Sequence, residues 1–268
     1  MTQSRFKYIP GNTFFHKMDP TWKFGWNFII VIIIIINFHL LYTVFWYLYI
    51  LILAFIVAKI SIRQYIRSVA FFLVIGLFIA TWQTVYYPEA ARVLFTWGPV
   101  RVTAEGIIEG ISTLFRILVI VSLSVLFTLT TDPRRMVESL IQVGKIPYRI
   151  GYMAYNTLKL IPLYENESMV IQNAHKIRGV GDEGKGFKSR MKLYWSLLIP
   201  LLVSGIRRAQ ASAIAMDSRG FGAYSKRTII HAIIVSRSTK IFTFVHAAIC
   251  VVLFVYFVIL GHGIVHIG

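Results

Sequence analysis

The sequence predicts an all-α integral membrane protein with about five transmembrane helices and a cytoplasmic region of long amphipathic helices between the fourth and fifth spans. Of its 268 residues 57% are hydrophobic, and long uncharged apolar stretches recur along the chain. The formal net charge is +17. This charge follows the expected membrane topology, and aromatic residues do not interleave with it. The lipid bilayer is therefore an expected partner and nucleic acid is not.

Residues 24–58 carry no formal charge and predict two short spans. As one helix they would reach about 50 Å, against roughly 30 Å of hydrocarbon. A tight turn near residues 37–39 is expected to divide them. Lys59, Arg63 and Arg67 then recur at four-residue intervals, which is typical of a connector on the cytoplasmic side.

The third and fourth spans are predicted at about residues 69–86 and 106–130. The loop between them is poor in positive charge and predicts a small extracellular hairpin around residues 98–99. Glu109 and Arg116 lie seven residues apart, on one face of the fourth span. Arg116 is expected near mid-bilayer, where it must face protein or water. This pair could anchor neighbouring helices or line a transport path.

Residues 132–240 predict the cytoplasmic amphipathic helices, and Asp132-Pro133 is a helix N-cap followed by a proline at the first helical position. This segment contains most of the 28 Lys and Arg residues, which are expected to interrupt every apolar run before it reaches spanning length. The predicted divisions are residues 1–131 for a membrane domain of four spans, 132–240 for the cytoplasmic helices and 241–268 for the last span.

Five crossings place the three basic segments on one side of the membrane, in agreement with the positive-inside rule. The N-terminus and residues 132–240 are then cytoplasmic, whereas the 88–105 loop and the C-terminus lie outside the cell. The predicted location is the cell membrane, with several crossings.

Two similar tips end the two long cytoplasmic helices. "IRGVG" begins at Ile177 and "SRGFG" begins at Ser218, and an Ile-Pro-Leu triplet opens the helical run before each. Glycine just past a helix end can adopt the left-handed conformation that stops the helix, and a cation there meets the free carbonyl groups. Arg178 and Arg219 are therefore predicted to project from two helix ends. Two ordinary glycine caps are the alternative interpretation.

A stripe of small residues is predicted on the second of these helices. Gly205, Ala209 and Ala213 recur every four residues, and Ser212 lies beside them. Small residues allow another helix to approach closely. The expected partner is the first helix of the pair, at about residues 161–177, although a transmembrane helix would fit the stripe equally well.

The sequence indicates no catalytic, cofactor-binding or metal-binding residue. No set of serine, histidine and carboxylate suggests catalysis. The glycine-rich stretch 179–186 resembles a phosphate-binding loop, but it follows a helix and has no Ser or Thr after Lys185. His262 and His266 are four residues apart and have no third ligand nearby in the sequence.

Four stretches carry a resemblance to a known family: "YIPGNTFFHKMDPTWK", "TWGPVRVTAEG", "TDPRRMVESL" and "AIAMDSRGFGAYSKRT". On these stretches the chain resembles, over essentially its whole length, the transmembrane scaffold subunit of energy-coupling factor (ECF) transporters, the EcfT/CbiQ family. The resemblance implies a non-enzymatic subunit of a prokaryotic importer. Such a subunit couples two ABC-type ATPase subunits, like or unlike, to a separate substrate-capture (S) subunit. The implied substrate is a vitamin, with a transition-metal ion as the second choice.

The resemblance also assigns roles to the tips. Ile177-Arg178-Gly179 and Ser218-Arg219-Gly220 correspond to the family's X-Arg-X motifs, and each is expected to dock into one ATPase. A self-contained secondary transporter or channel is the alternative function. It would need polar or broken helices near the midplane, which only the face of Glu109 and Arg116 offers, and it leaves the basic segment without a role.

Overall fold

The computed structural model describes residues 8–37, 39–86, 93–97, 100–179, 187–224 and 232–259, and most of them are helical. The elements in chain order are α1 (Phe14–Lys17), α2 (Pro20–Ile36), α3 (Leu40–Ile52) with a π-helical turn (Leu53–Val57), α4 (Ile62–Val85), β1 (Val93–Trp97), β2 (Val100–Thr103), α5 (Ala104–Thr130), α6 (Pro133–Gln142), α7 (Tyr148–Ile177), α8 (Phe187–Asp217) and α9 (Arg237–Ile259). The all-α prediction is confirmed, with one short hairpin added.

The described residues form two compact units. The larger unit contains the described residues between 8 and 139 and between 233 and 259, and the smaller unit contains those between 140 and 224 together with residue 232. In the larger unit α5 packs against α2, α3 and α4, and α9 packs against α2. Because residues four apart share a helix face, each helix buries one stripe of side chains. The buried stripe of α2 contains Trp26, Ile30 and Ile34, and that of α3 contains Tyr42, Trp46 and Ile50.

The predicted turn that divides residues 24–58 is confirmed. Helix α2 ends at Ile36 and α3 begins at Leu40. Between them the Asn37 side chain accepts a hydrogen bond from the His39 backbone N–H at 3.0 Å. This contact stabilises the reversal with a local side-chain acceptor.

Helices α4 and α5 approach closely at Gly110. A Cβ atom there would overlap Thr84 Oγ1 and lie 2.8 Å from the carbonyl oxygen of Ala80. Beyond this contact β1 and β2 pair in antiparallel orientation, with Trp97 opposite Val100. The predicted hairpin is therefore present, although its tip at residues 98–99 lies outside the described residues.

Within the described residues, five helical segments are long and apolar enough to cross a membrane: Leu40–Val57, Ile62–Val85, Ala104–Thr130, Tyr194–Asp217 and Arg237–Phe257. Helix α2 is apolar but has only 17 residues, or about 26 Å of helix. The third span begins at Ile62, earlier than predicted. Charges were also expected to interrupt every apolar run in 132–240, and this was wrong for Tyr194–Asp217. Its mean hydropathy of 1.2 is lower than the 1.9 to 2.4 of the other four segments.

The smaller unit is built on α7 and α8, which pack in antiparallel orientation. The start of α7 contacts the residues that follow α8, and the middle of α7 contacts the middle of α8. Both helices begin earlier than their Ile-Pro-Leu triplets, so Pro162 and Pro200 lie inside them. Each proline leaves one carbonyl group without its intrahelical donor. The triplets therefore do not open the helices as predicted.

Candidate functional site

The tip after α8 is closed by a Schellman motif. Gly220 has φ +67°. The Phe221 N–H donates to the Met216 carbonyl at 2.9 Å and the Gly220 N–H donates to the Asp217 carbonyl at 3.0 Å, which are the two hydrogen bonds that define the motif. Arg219 is therefore the C-cap residue of α8 and lies between the last helical turn and the left-handed Gly220.

The tip after α7 has the same cap as far as it is described. Gly179 has φ +70°. Its N–H donates to the Lys176 carbonyl at 3.1 Å, and the Arg178 N–H donates to the Ala174 carbonyl at 3.2 Å. The prediction of left-handed glycines directly after Arg178 and Arg219 is confirmed at both tips. Arg178 and Arg219 therefore occupy equivalent positions on two helix ends.

All six tip residues are exposed in the structure: Ile177, Arg178, Gly179, Ser218, Arg219 and Gly220. Ile177 is 87% exposed. An apolar side chain beside an exposed guanidinium gives the first tip both apolar and charged contact area. Such a combination suits a protein partner, because arginine contributes strongly to binding when its surroundings exclude water.

The two arginines lie at opposite ends of the helix pair. Phe221 contacts Tyr148 and Tyr152 in the first turns of α7, with ring centroids 5.7 and 4.9 Å apart. Arg219 therefore lies near the start of α7, whereas Arg178 lies at its end. A helix as long as α7 places these ends about 45 Å apart.

The Arg219 tip is braced against α7. The Arg149 guanidinium donates to the Gly222 carbonyl and the Tyr148 hydroxyl donates to the Tyr224 carbonyl, each at 2.9 Å. A cavity of about 420 Å³ lies beside it. Its lining includes Tyr152, Asn156, Ser212, Met216, Arg219 and Phe221. Sequence reasoning missed this brace, because its donors are more than seventy positions from their acceptors.

A polar cluster holds α7 and α8 together where they cross. Glu167 accepts hydrogen bonds from the Ser204 hydroxyl and, at 3.3 Å, from Arg208. The Arg208 guanidinium lies 5.9 Å from the centroid of the Tyr164 ring. A Cβ atom at Gly205 would lie 2.7 Å from the Tyr164 hydroxyl oxygen, so the Tyr164 side chain would have to shift to admit any larger residue.

The predicted small-residue stripe therefore differs from the contact surface at two positions. Gly205 and Ser212 are partly buried, but Ala209 and Ala213 are exposed. The half-buried positions of α8 recur instead at Ser204, Arg208, Ser212 and Met216. The ion pair between Arg208 and Glu167 lies on this contact face, and residue size alone does not predict it.

Replacing Glu167 with alanine is expected to loosen the crossing. The Arg208 guanidinium and Ser204 hydroxyl would lose their acceptor, at a cost of about 1 kcal/mol, because both side chains of the ion pair are partly exposed and solvent screens it. The unfolding midpoint of the purified chain in detergent should fall accordingly. Glu167→Gln is the matched control, because its amide oxygen still accepts from Ser204, and its midpoint should fall less. Equal midpoints for wild type and Glu167→Ala would contradict this description of the crossing.

Arg116 contacts the turn between α2 and α3. Its guanidinium donates to the Asn37 carbonyl at 3.3 Å. Asn37 caps α2, where backbone carbonyl groups lack intrahelical donors. Arg116 thus reaches the C-terminal end of α2 from the middle of α5, and its predicted depth in the bilayer stays a prediction. This contact favours the anchoring role.

Within the part of the chain that the structure describes, no three His, Cys, Asp or Glu residues come together as possible metal ligands. His262, His266 and the stretch 180–186 lie outside it. The predicted absence of catalytic and cofactor residues stays a prediction.

The fold and the two tips together define a multi-pass helical membrane protein in which two long antiparallel helices, α7 and α8, each end in an exposed arginine. The family model described as "Cobalt transport protein" (CbiQ) matches residues 11–230. The energy-coupling factor transporter transmembrane protein EcfT of Lactococcus lactis subsp. cremoris (strain MG1363) is 30% identical over 230 residues, covering 83% of this chain and 85% of the relative. The EcfT of Streptococcus equi subsp. equi (strain 4047) is 33% identical over 230 residues, covering 83% and 84%.

The EcfT of Streptococcus thermophilus (strain ATCC BAA-250 / LMG 18311) is also 33% identical, over 83% of this chain and 86% of its own length. The chain belongs to the CbiQ/EcfT family of energy-coupling factor transporter transmembrane proteins.

Proposed function

We propose that this chain is the coupling subunit of an ECF-type importer. It transmits the ATP-driven motion of two ABC-type ATPase subunits to a membrane subunit that captures the substrate. The observation that carries the proposal is the repeated cap: two exposed arginines, each followed by a left-handed glycine, at opposite ends of one braced helix pair. The six tip residues Ile177, Arg178, Gly179, Ser218, Arg219 and Gly220 form the ATPase-docking surfaces.

The chemistry of arginine suits this docking. A planar guanidinium makes paired hydrogen bonds to a carboxylate, which a lysine ammonium cannot reproduce. An acidic groove on each ATPase would accept one tip. Since the tips are about 45 Å apart on helices of this length, each can engage a separate ATPase.

The helix pair would move as a rigid body. Packed helices tilt or shift as units and do not stretch, so closure of the ATPases would tilt α7 and α8 together. The hydrogen bonds of Glu167 with Ser204 and Arg208, and the contact of Phe221 with Tyr152, oppose bending of the helix pair between the tips. The exposed apolar side chains of α8, among them Trp195, Leu198 and Leu202, would then carry the motion to the capture subunit.

The proposed topology places the N-terminus and residues 132–240 in the cytoplasm and the C-terminus outside. Lys59, Arg63 and Arg67 support this orientation, because positive residues concentrate on the cytoplasmic side. We extend the proposal to vitamin uptake. Its support is the N-terminal "PGN", His16 and "DP" pattern, which resembles subunits that serve several vitamin-capture proteins.

Reconstitution tests the function. The chain would be placed in liposomes with its ATPases and a capture subunit, and uptake of labelled vitamins and of cobalt would be followed with and without ATP. ATP-dependent vitamin uptake that requires this chain is the expected result. Uptake by this chain alone, without any ATPase, would support the secondary carrier instead.

A further inference from the structure

Three buried polar residues join α2, α5 and α6 in the larger unit. Asp19 is 4% exposed, Lys23 is 1% exposed and Ser139 is fully buried. The sequence indicates Asp19 only as a helix start and gives no sign that Lys23 is buried. Charged side chains are almost never fully buried unless their hydrogen bonds are satisfied. We call Asp19, Lys23, Ser139 and their partners Thr21, Thr130 and Thr131 the α2–α5–α6 joint.

Lys23 fastens the start of α2 to the end of α5. Its ammonium donates to the Thr130 carbonyl and hydroxyl, both at 3.2 Å, and to the Thr131 hydroxyl at 3.0 Å. A lysine has three donors, and all three are used. Thr130 is the last residue of α5, where the carbonyl groups have no intrahelical donor and attract a cation. The contact of Lys23 therefore depends on the free carbonyl groups at the C-terminal end of α5.

Asp19 fastens the same end of α2 to α6. Its carboxylate accepts from the Thr21 and Trp22 backbone N–H groups at 3.0 and 3.2 Å, which caps α2. The Ser139 hydroxyl lies 2.9 Å from both oxygens of this carboxylate. Thr21 Oγ1 also lies 2.6 Å from Ser139 Oγ. The first turn of α2 and its cap residue thus contact both α5 and α6.

The covalent link between α5 and α6 is short and not helical. Thr131 has φ −123° and ψ +122°, and α6 begins at Pro133 after the cap residue Asp132. With this link alone, α6 could rotate relative to α5. The joint removes that freedom, because α2 contacts both helices at once.

We propose that Asp19, Lys23 and Ser139 are positioning residues that fix the start of α6 to α2 and, through α2, to α5, so that force arriving along the chain after α6 reaches the membrane helices. This inference rests on the proposed coupling function. An apolar side chain of similar length would fill the place of Lys23 at less desolvation cost. The hydrogen bonds of Lys23 and Asp19 therefore serve orientation of the three helix ends rather than packing alone.

The test compares Lys23→Met with Lys17→Met in the complete complex, reconstituted in liposomes. Lys17 is an exposed lysine of the same N-terminal segment and serves as the matched control. For Lys23→Met we expect subunit assembly and ATP hydrolysis within about twofold of wild type, and substrate uptake per ATP reduced at least tenfold. Lys17→Met should match wild type. Unchanged uptake per ATP in Lys23→Met overturns the proposal.

A disulfide gives the second measurement. Thr21→Cys with Ser139→Cys, in a chain whose single natural cysteine Cys250 is replaced by alanine, should cross-link across the joint on oxidation. We expect the cross-linked protein to retain uptake and the same cross-link to restore uptake to Lys23→Met. Uptake lost on oxidation and regained on reduction would show that the joint must open, which also overturns the proposal. Failure of wild type itself to couple ATP to uptake would instead refute the proposed function.

Discussion

A chain that carries both Arg178→Ala and Arg219→Ala is expected to remain in the membrane but to lose its ATPase subunits on purification. Each guanidinium is expected to make charge-assisted hydrogen bonds worth about 1.5–3 kcal/mol. Either single variant should therefore weaken association about 10- to 100-fold, and the double variant should abolish it. Affinity purification of the tagged chain followed by quantification of bound ATPase measures this.

Lysine variants at the same two positions separate charge from geometry. Arg178→Lys with Arg219→Lys keeps the charge but loses the paired donors of guanidinium. We expect association between that of wild type and that of the alanine variant. Both arginines are exposed, so none of these changes should lower the unfolding midpoint. Normal recovery of both ATPases with the double alanine variant would contradict the docking assignment.

Replacing the glycine after each arginine with valine is expected to weaken ATPase association at that tip about tenfold. Gly220 and Gly179 have φ +67° and +70°, where a side chain costs about 1–2 kcal/mol, and a branched one costs most. No atom of the residues that the structure describes lies within 3.5 Å of a Cβ at either glycine, so the expected effect comes from the backbone. The C-cap hydrogen bonds would break, and the arginine side chain would no longer be held in one orientation.

Asparagine is the matched control for these glycines, because it tolerates the left-handed conformation better than other side chains. Gly179→Asn and Gly220→Asn should bind ATPase within about twofold of wild type. Titration of purified ATPase against each variant in detergent provides the comparison. Valine and asparagine variants of equal affinity would show that the left-handed cap does not orient the arginines.

Local signals in the sequence predicted several elements correctly. The turn at residues 37–39 followed from a mismatch between helix length and bilayer thickness. The caps after Arg178 and Arg219 followed from glycine, whose conformational freedom is a property of the residue itself. Asp132 caps α6 as predicted, since its side chain accepts from the Arg134 N–H at 3.0 Å.

Features that depend on distant residues escaped prediction. The burial of Lys23 requires acceptors 107 and 108 positions away. The contact face of α8 includes Arg208, whose acceptor Glu167 lies 41 positions away. The Ile-Pro-Leu triplets were expected to open the two helical runs, but α7 and α8 continue through Pro162 and Pro200. Tertiary packing overrode the local preference there.

Photo-cross-linking from the two tips tests the central claim most directly. A benzophenone amino acid would replace Ile177 or Ser218 in cells that produce the whole complex. The control position is Tyr86, which follows the last residue of α4 on the side of the membrane proposed to be outside the cell. The account predicts adducts to an ATPase subunit from both tips and none from Tyr86. ATPase adducts from Tyr86, or tips that react only with lipid, would contradict it.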